Sequence, residues 1–375
     1  MRKAVESIAD ENKSYSFLEF PPRGVSSCPA LARLRPGFFL SAIHSAMIAL
    51  GARIQRTKQF ACRLLAAVGL SAVAAVSAPV FAGPYAYVPN EGSGMISVID
   101  TATDAVVGEI RTGGKPRGIA LNPKTQLLYV SDSLSSSLKV IDVRNRSVIA
   151  EVPLGKSPEG VYISHDGTLV AVAIEESNSV ALIDTATTKL LVNIPVSGKN
   201  PEHAVFSPDG AWIYVSSEDA DTVEVVDVAK RAQVGSIKVG HRPRGIAFTP
   251  DSRVAYIACE VTSMVYAVDV RSGSVIASIK GGDFSNGVVM HPNGRRVYVS
   301  NGKAGTVSVI DTETNAIVAT IPVGQRPWNM AITPDGRKVY VANGRSNSVS
   351  VIDTGSDKKL TDIPVGELPW GVMIR

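Results

Sequence analysis

Six residues that each follow a proline carry the side chains most suited to chemistry. They are Arg117, Glu159, Glu202, Arg244, Trp328 and Trp370, and each sits in the phrase V-G-x-x-P-x-G or a variant of it that keeps G-x-x-P. The corresponding stretch "GGDFSNG" has no proline and offers Ser285 and Asn286 instead. His203 replaces a glycine of this phrase, and Asn329 stands beside Trp328. A second set follows the phrase Y-V-x-N, where Glu91, Glu175, Glu218 and Glu260 occupy equivalent positions. Glu176, Asp132, Asn301 and Asn343 lie next to that position.

These residue types permit several kinds of recognition. Two indole planes stack on a flat or apolar ligand. Arg117 and Arg244 suit a carboxylate or phosphate, which a guanidinium grips with two parallel hydrogen bonds. The same two arginines equally suit Glu159 and Glu202, as a structural salt network across a channel. Glu91, Glu175, Glu218, Glu260 and Asn301 form an alternative set that would hold a divalent metal. His203 is the one credible acid–base group, as a histidine titrates near neutrality, and a satisfied core histidine is the competing reading.

The elements that position these residues repeat. The phrase ending in "VID" or its variants places Asp100, Asp142, Asp184, Asp227, Asp269, Asp311 and Asp353 at spacings of 42, 42, 43, 42, 42 and 42 residues. Each unit reads as four β-branched runs, A to D, bounded by Gly, Pro, Asp and Asn. A four-strand repeat of about 40–45 residues is a propeller blade. The first unit lacks a strand A, because "AYVPN" is already a strand B, and the chain ends on "LPWGVMIR", a strand A with nothing after it. The sequence therefore predicts an all-β, seven-bladed propeller over 83–375, with four antiparallel strands per blade and the ring closed by the C-terminal strand. Strand A lies innermost, so the D–A and B–C links share one face around the channel mouth. The "VID" aspartates end strand C on the far face and read as turn cappers. Cys259 stands where other repeats have Asn and reads as a buried small residue.

Charge and targeting signals bound the function. The chain carries 38 Lys and Arg against 34 Asp and Glu. Ten of those bases and four of those acids fall in residues 1–82, which leaves 28 basic and 30 acidic residues in 83–375. A net −2 propeller gives nucleic-acid binding no electrostatic support. Residues 47–82 read as a signal peptide, with Arg56, Lys58 and Arg63 before an apolar stretch and a Val-x-Ala site ending at Ala82. Met47 is then a candidate start, and residues 1–46 read as a non-native extension or a disordered stretch. Export without a disulfide suits a bacterial periplasmic or secreted protein, expected to be monomeric and without a transmembrane span after cleavage.

"LYVSD", "IYVSS", "VYVSN" and "VYVAN", each followed by a V-x-V-I-D-like phrase and most by "IPVG", resemble the YVTN β-propeller repeat family. The seven-unit layout and "PWGV" are similar to propellers associated with pyrroloquinoline-quinone-dependent catabolism. That resemblance implies an exported accessory or binding protein rather than a dehydrogenase. "VAVAIE" departs from it by lacking the tyrosine, as does "DFSNG". The expectation is a non-catalytic protein with no cofactor, binding a small ligand or periplasmic protein partner at the mouth. The alternatives are a metal-dependent hydrolase or lyase of the lactonase kind and a surface-layer module.

Overall fold

The computed structural model describes residues 84–374. The readings for 1–46 and 47–82 therefore lie outside the described residues. Within them are seven sheets of four antiparallel strands each. Blade 1 joins Tyr85–Asn90, Met95–Asp100 and Ala105–Arg111 to the C-terminal Met373–Ile374. That last strand pairs Ala86 with Ile374 and Tyr87 with Met373, as the repeat arithmetic requires. The ladder continues as a looser clasp, in which the Trp370 N–H donates to the Pro89 carbonyl at 2.9 Å and the Glu91 N–H to Leu368 at 3.0 Å.

Burial explains the strand order. Strands A of neighbouring blades touch one another at the centre, and strands B are buried along both faces, as in the Val339–Val341 run of blade 7. Strands D form the rim and are mostly exposed. The cores lie between blades. Val372 and Ile374 pack with Ala86, Val88 and Ile99 of blade 1 and with Tyr340, Val349 and Val351 of blade 7. Ring closure is thus also core closure. Each rim strand carries a bulge at an exposed apolar residue, as at Val107 and Ile149, which breaks the ladder an incoming strand would need.

The far face is built of turns. Asp311 Oδ1 accepts from the N–H groups of Glu313 and Thr314, and Asp353 and Asp269 each accept from the N–H three residues on, of Ser356 and Ser272. The turn-capping role of the "VID" aspartates is what the structure contains. Cys259 is fully buried, and burial pushes its thiol up to about 12, so it stays protonated and inert. Among the described residues no helix is long and apolar enough to cross a membrane.

Candidate functional site

A bulge at the start of each strand A aims the varied residue at the channel. In blade 2, Pro116 pairs with Asp132 but Ile119 pairs with Val130, so strand A holds one extra residue there. The same slip follows Pro158, Pro201, Pro243, Ser285 and Pro327. A bulge of this kind redirects a side chain without ending the strand. The glycine after it is required by crowding: a Cβ on Gly118 would sit 2.3 Å from the Glu159 carbonyl oxygen, and one on Gly287 2.4 Å from that of Trp328. A serine of strand B fastens the bulge. Ser300 accepts from the Gly287 N–H at 2.8 Å and donates to the Trp328 carbonyl at 2.5 Å, and Ser131 serves Gly118 and Glu159 alike.

The aimed side chains converge on a mouth of about 320 Å³. Of the residues anticipated there, Glu91, Arg117, Glu159, Glu175, Glu202, Glu218, Arg244, Asn286, Trp328, Asn329 and Trp370 line it. Arg117 bonds Glu91 at 3.1 Å and also Glu159. Arg244 meets Glu202 at 2.7 Å, Glu218 at 2.5 Å and Glu260 at 3.0 Å. Both anticipated arginines therefore already hold carboxylates, in the salt-network arrangement. Glu260 lies beneath the lining, fully buried, and is also held by Arg326 at 2.7 Å. Asn301 stays out of the mouth. Its amide is used inside the sheet, donating to Thr306 and Ser308 and accepting from the Gly282 N–H. Among the described residues no three His, Cys, Asp or Glu side chains converge in a metal-holding arrangement.

His203 lies in strand A of blade 4 (Pro201–Phe206), not in the link before it, and is 1 % exposed. Its ring meets Trp370 of blade 1 at 5.7 Å between centroids and Tyr162 at 5.8 Å, edge-on. Tyr162 Oη is 3.0 Å from Nδ1, while Nε2 has no partner. His203 therefore does not line the mouth as the sequence reading expected; it packs against Trp370, which does. An apolar channel of about 370 Å³ shares Asn329 and Trp370 with the mouth.

Three lining residues escaped the sequence reading: Ser157, Arg242 and Arg326. Each precedes the strand-A proline rather than following it, and each has a left-handed backbone, with φ of 55°, 61° and 53°. That conformation turns the link tip inward. Arg242 reaches Glu218 at 3.0 Å and Glu260 at 3.4 Å. The signal was available, because the residue before proline varies among blades as much as the one after it.

Burial dominates the electrostatics. Burial, helped by Glu202, pushes the Glu159 carboxyl up to about 9 despite Arg117. Burial and Glu202 also push Glu218 up to about 7 against Arg244 and Arg242. For Glu202 burial acts upward too, but Arg244, His203 and Arg117 outweigh it and hold that carboxyl below its usual range. Burial pulls His203 down to about 4, so the imidazole is neutral at physiological pH. The site is a polar cup of carboxyls and guanidiniums with two indoles, suited to holding a ligand.

The family model described as YNCE-like beta-propeller matches residues 57–375. Similar solved structures include Kuenenia stuttgartiensis hydrazine synthase, at 24 % identity and TM-score 0.66 over 72 % of this chain and 92 % of that one. A functionally unknown protein from Desulfotomaculum acetoxidans DSM 771 is similar at 18 % identity and TM-score 0.69, over 77 % and 98 %. Dihydro-heme d1 dehydrogenase NirN, in complex with DHE, is similar at 17 % identity and TM-score 0.58, over 75 % and 63 %. At these identities the likeness is one of fold alone. No curated protein sequence matches the chain.

Proposed function

The chain belongs to the YNCE-like beta-propeller family, and from that premise we propose that it is an exported, non-catalytic binding protein that takes a small ligand or a periplasmic protein partner at the channel mouth. One observation carries this reading. Seven like blades bring residues that differ from blade to blade to one cup of about 320 Å³, at the lower end of the ~300–1,000 Å³ typical of small-molecule sites. Two buried donors on residues that line the cup, Asn286 Nδ2 and Arg117 Nε, have no protein partner, and neither has His203 Nε2 behind Trp370. Buried polar groups left unsatisfied cost about 1–3 kcal/mol each, which a ligand would relieve. Export rests on the charged and apolar pattern of residues 47–82, and the similarity to propellers of quinone-dependent catabolism favours an accessory role.

A thermal-shift screen of polar metabolites tests this reading. A ligand at 100 times its Kd stabilises by about 2.7 kcal/mol, and the shift should vanish in Asn286→Ala/Trp328→Ala. Hits that protect that variant equally would move the site elsewhere. Turnover lost in Glu218→Gln would replace binding by catalysis.

A further inference from the structure

We infer that the mouth binds a small organic cation that also carries a hydrogen-bond acceptor, seated between Glu175 on one wall and Trp328 and Trp370 on the other. This inference rests on the mouth being a ligand site, and it names the ligand's class.

Charge comes first. Six carboxyl groups, those of Glu91, Glu159, Glu175, Glu202, Glu218 and Glu260, meet four guanidiniums, those of Arg117, Arg242, Arg244 and Arg326. Every one of these arginines already holds a carboxylate, so its charge is balanced within the protein and attracts an arriving anion less. Among the described cations none pairs with Glu175. It accepts only from the Ser157 hydroxyl, at 2.6 Å. The structure thus has a carboxylate with no cation partner, and more carboxyl groups than guanidiniums, in and under a mouth that two indoles also line.

The indoles supply the second half of a cation site. A cation over a tryptophan face is attracted by the negative face of the ring. Trp328 lies against Gly344, where any Cβ would be 2.7 Å from the ring, so the absence of a side chain at that link tip makes room for the indole. Trp370 is braced by His203. The independent sign of a ligand is Asn286, which lines the mouth, is 3 % exposed and leaves its Nδ2 donor unpartnered. A donor there asks for an acceptor on the ligand, such as a carboxylate, carbonyl or hydroxyl. The mouth therefore suits a molecule such as a basic amino acid.

The protons in the empty mouth fit this picture. Glu159 faces Glu202, Arg117, Glu175 and Ser157, and Arg117 in turn faces Glu91. Glu218 faces Glu202, Arg244 and Arg242, with Glu260 behind both arginines and His203 beside Glu202. Burial and the surplus of carboxyls hold Glu159 up to about 9 and Glu218 up to about 7. An arriving cation favours the ionised forms, so binding releases protons.

The test uses the full chain with L-arginine and choline as probes, sodium acetate as anion and calcium chloride as metal, read by calorimetry and tryptophan fluorescence. L-arginine should bind saturably and release protons, measured in two buffers of different ionisation enthalpy. Its affinity should rise by up to about tenfold per pH unit near neutrality if one proton leaves. Glu175→Gln should weaken it by about tenfold while the melting temperature holds, and Trp328→Leu by about two- to fivefold. If acetate binds in an Asn286-dependent way and neither cation does, the inference falls while the mouth remains a ligand site. Calcium binding lost in Glu175→Gln overturns the inference in favour of a metal. Arginine binding unaltered in both variants overturns it as well, and if screen hits also ignore the mouth variants, the site reading falls with it.

Discussion

Removing Arg244 should unlock the centre of the disc. Its side chain is only 13 % exposed and reaches Glu202, Glu218 and Glu260 at 2.7, 2.5 and 3.0 Å. In Arg244→Ala, Glu218 keeps Arg242 and Glu260 keeps Arg242 and Arg326. Glu202 keeps no guanidinium within ion-pair distance. Breaking a buried pair by deleting one partner costs about 3–5 kcal/mol. At this size 1 kcal/mol shifts Tm by roughly 2 °C, so a fall of about 6–10 °C is expected at neutral pH by calorimetry. The pH dependence carries the sharper test. Arg244 helps hold the Glu202 carboxyl below its usual value, so its contribution is present above an unfolded pKa of 4.5 and is lost as pH falls through the lower folded value. The gap between wild type and variant should therefore narrow in acid. Arg253→Ala serves as the control, since that side chain is 82 % exposed and pairs with Asp251 at 3.7 Å; exposed pairs contribute little, and its melting should be unchanged. A neutral-pH loss below about 1 kcal/mol, or a gap that widens in acid, would refute the reasoning.

Deleting residues 367–375 removes Val372 and Ile374 from the core shared by blades 7 and 1, a loss of about 3–6 kcal/mol from side-chain burial alone; circular dichroism should show an early, broad melt, and an unchanged melt would contradict ring closure by the terminal strand. Lys139→Ser should destabilise blade 2 by about 3 kcal/mol, because among the described residues it takes the only cation from Asp132, whose side chain is 1 % exposed and keeps only the backbone N–H groups of Lys115, Leu134 and Ser135. Adding Asp132→Asn should recover most of that in denaturant titration, since Asn343 and Ser350 already form the neutral version of this pair at 2.9 Å. Glu159→Gln should melt like wild type near pH 4 and at a higher temperature than wild type at neutral pH, because the carboxyl is held up to about 9 and stays protonated in the fold while the unfolded chain ionises. The folded protein keeps a proton that the unfolded chain releases above 4.5, so wild-type stability falls from there towards about 9. The glutamine variant should lose that slope, and an identical slope would show that another group carries it.

The fold was legible because one blade is one period. Seven aspartates at near-constant spacing report the ring directly, and the missing first strand A matches the spare terminal one. The single extra residue between Asp184 and Asp227 falls in the link ahead of Pro201 and leaves the ladder intact. The mouth was legible in outline, since a fixed strand register turns repeat position into angular position. What a period cannot give is direction within a bulge or at a left-handed tip. Arg242 and Arg326 were missed for that reason, as each reaches the mouth only through a positive φ. His203 was placed too far out, because a glycine position inside strand A was read as part of the link. Asn301 looked like a ligand until its sheet neighbours Thr306 and Ser308 were seen to take its amide.

The most direct test is a crystal structure of the protein grown with L-arginine. Density is predicted at the mouth, with the guanidinium between Glu175 and the indoles of Trp328 and Trp370 and the carboxylate accepting from Asn286 Nδ2. Ordered arginine seated only on the far face or between rim strands, with the mouth unchanged, would contradict the convergence of the varied blade corners into one ligand site.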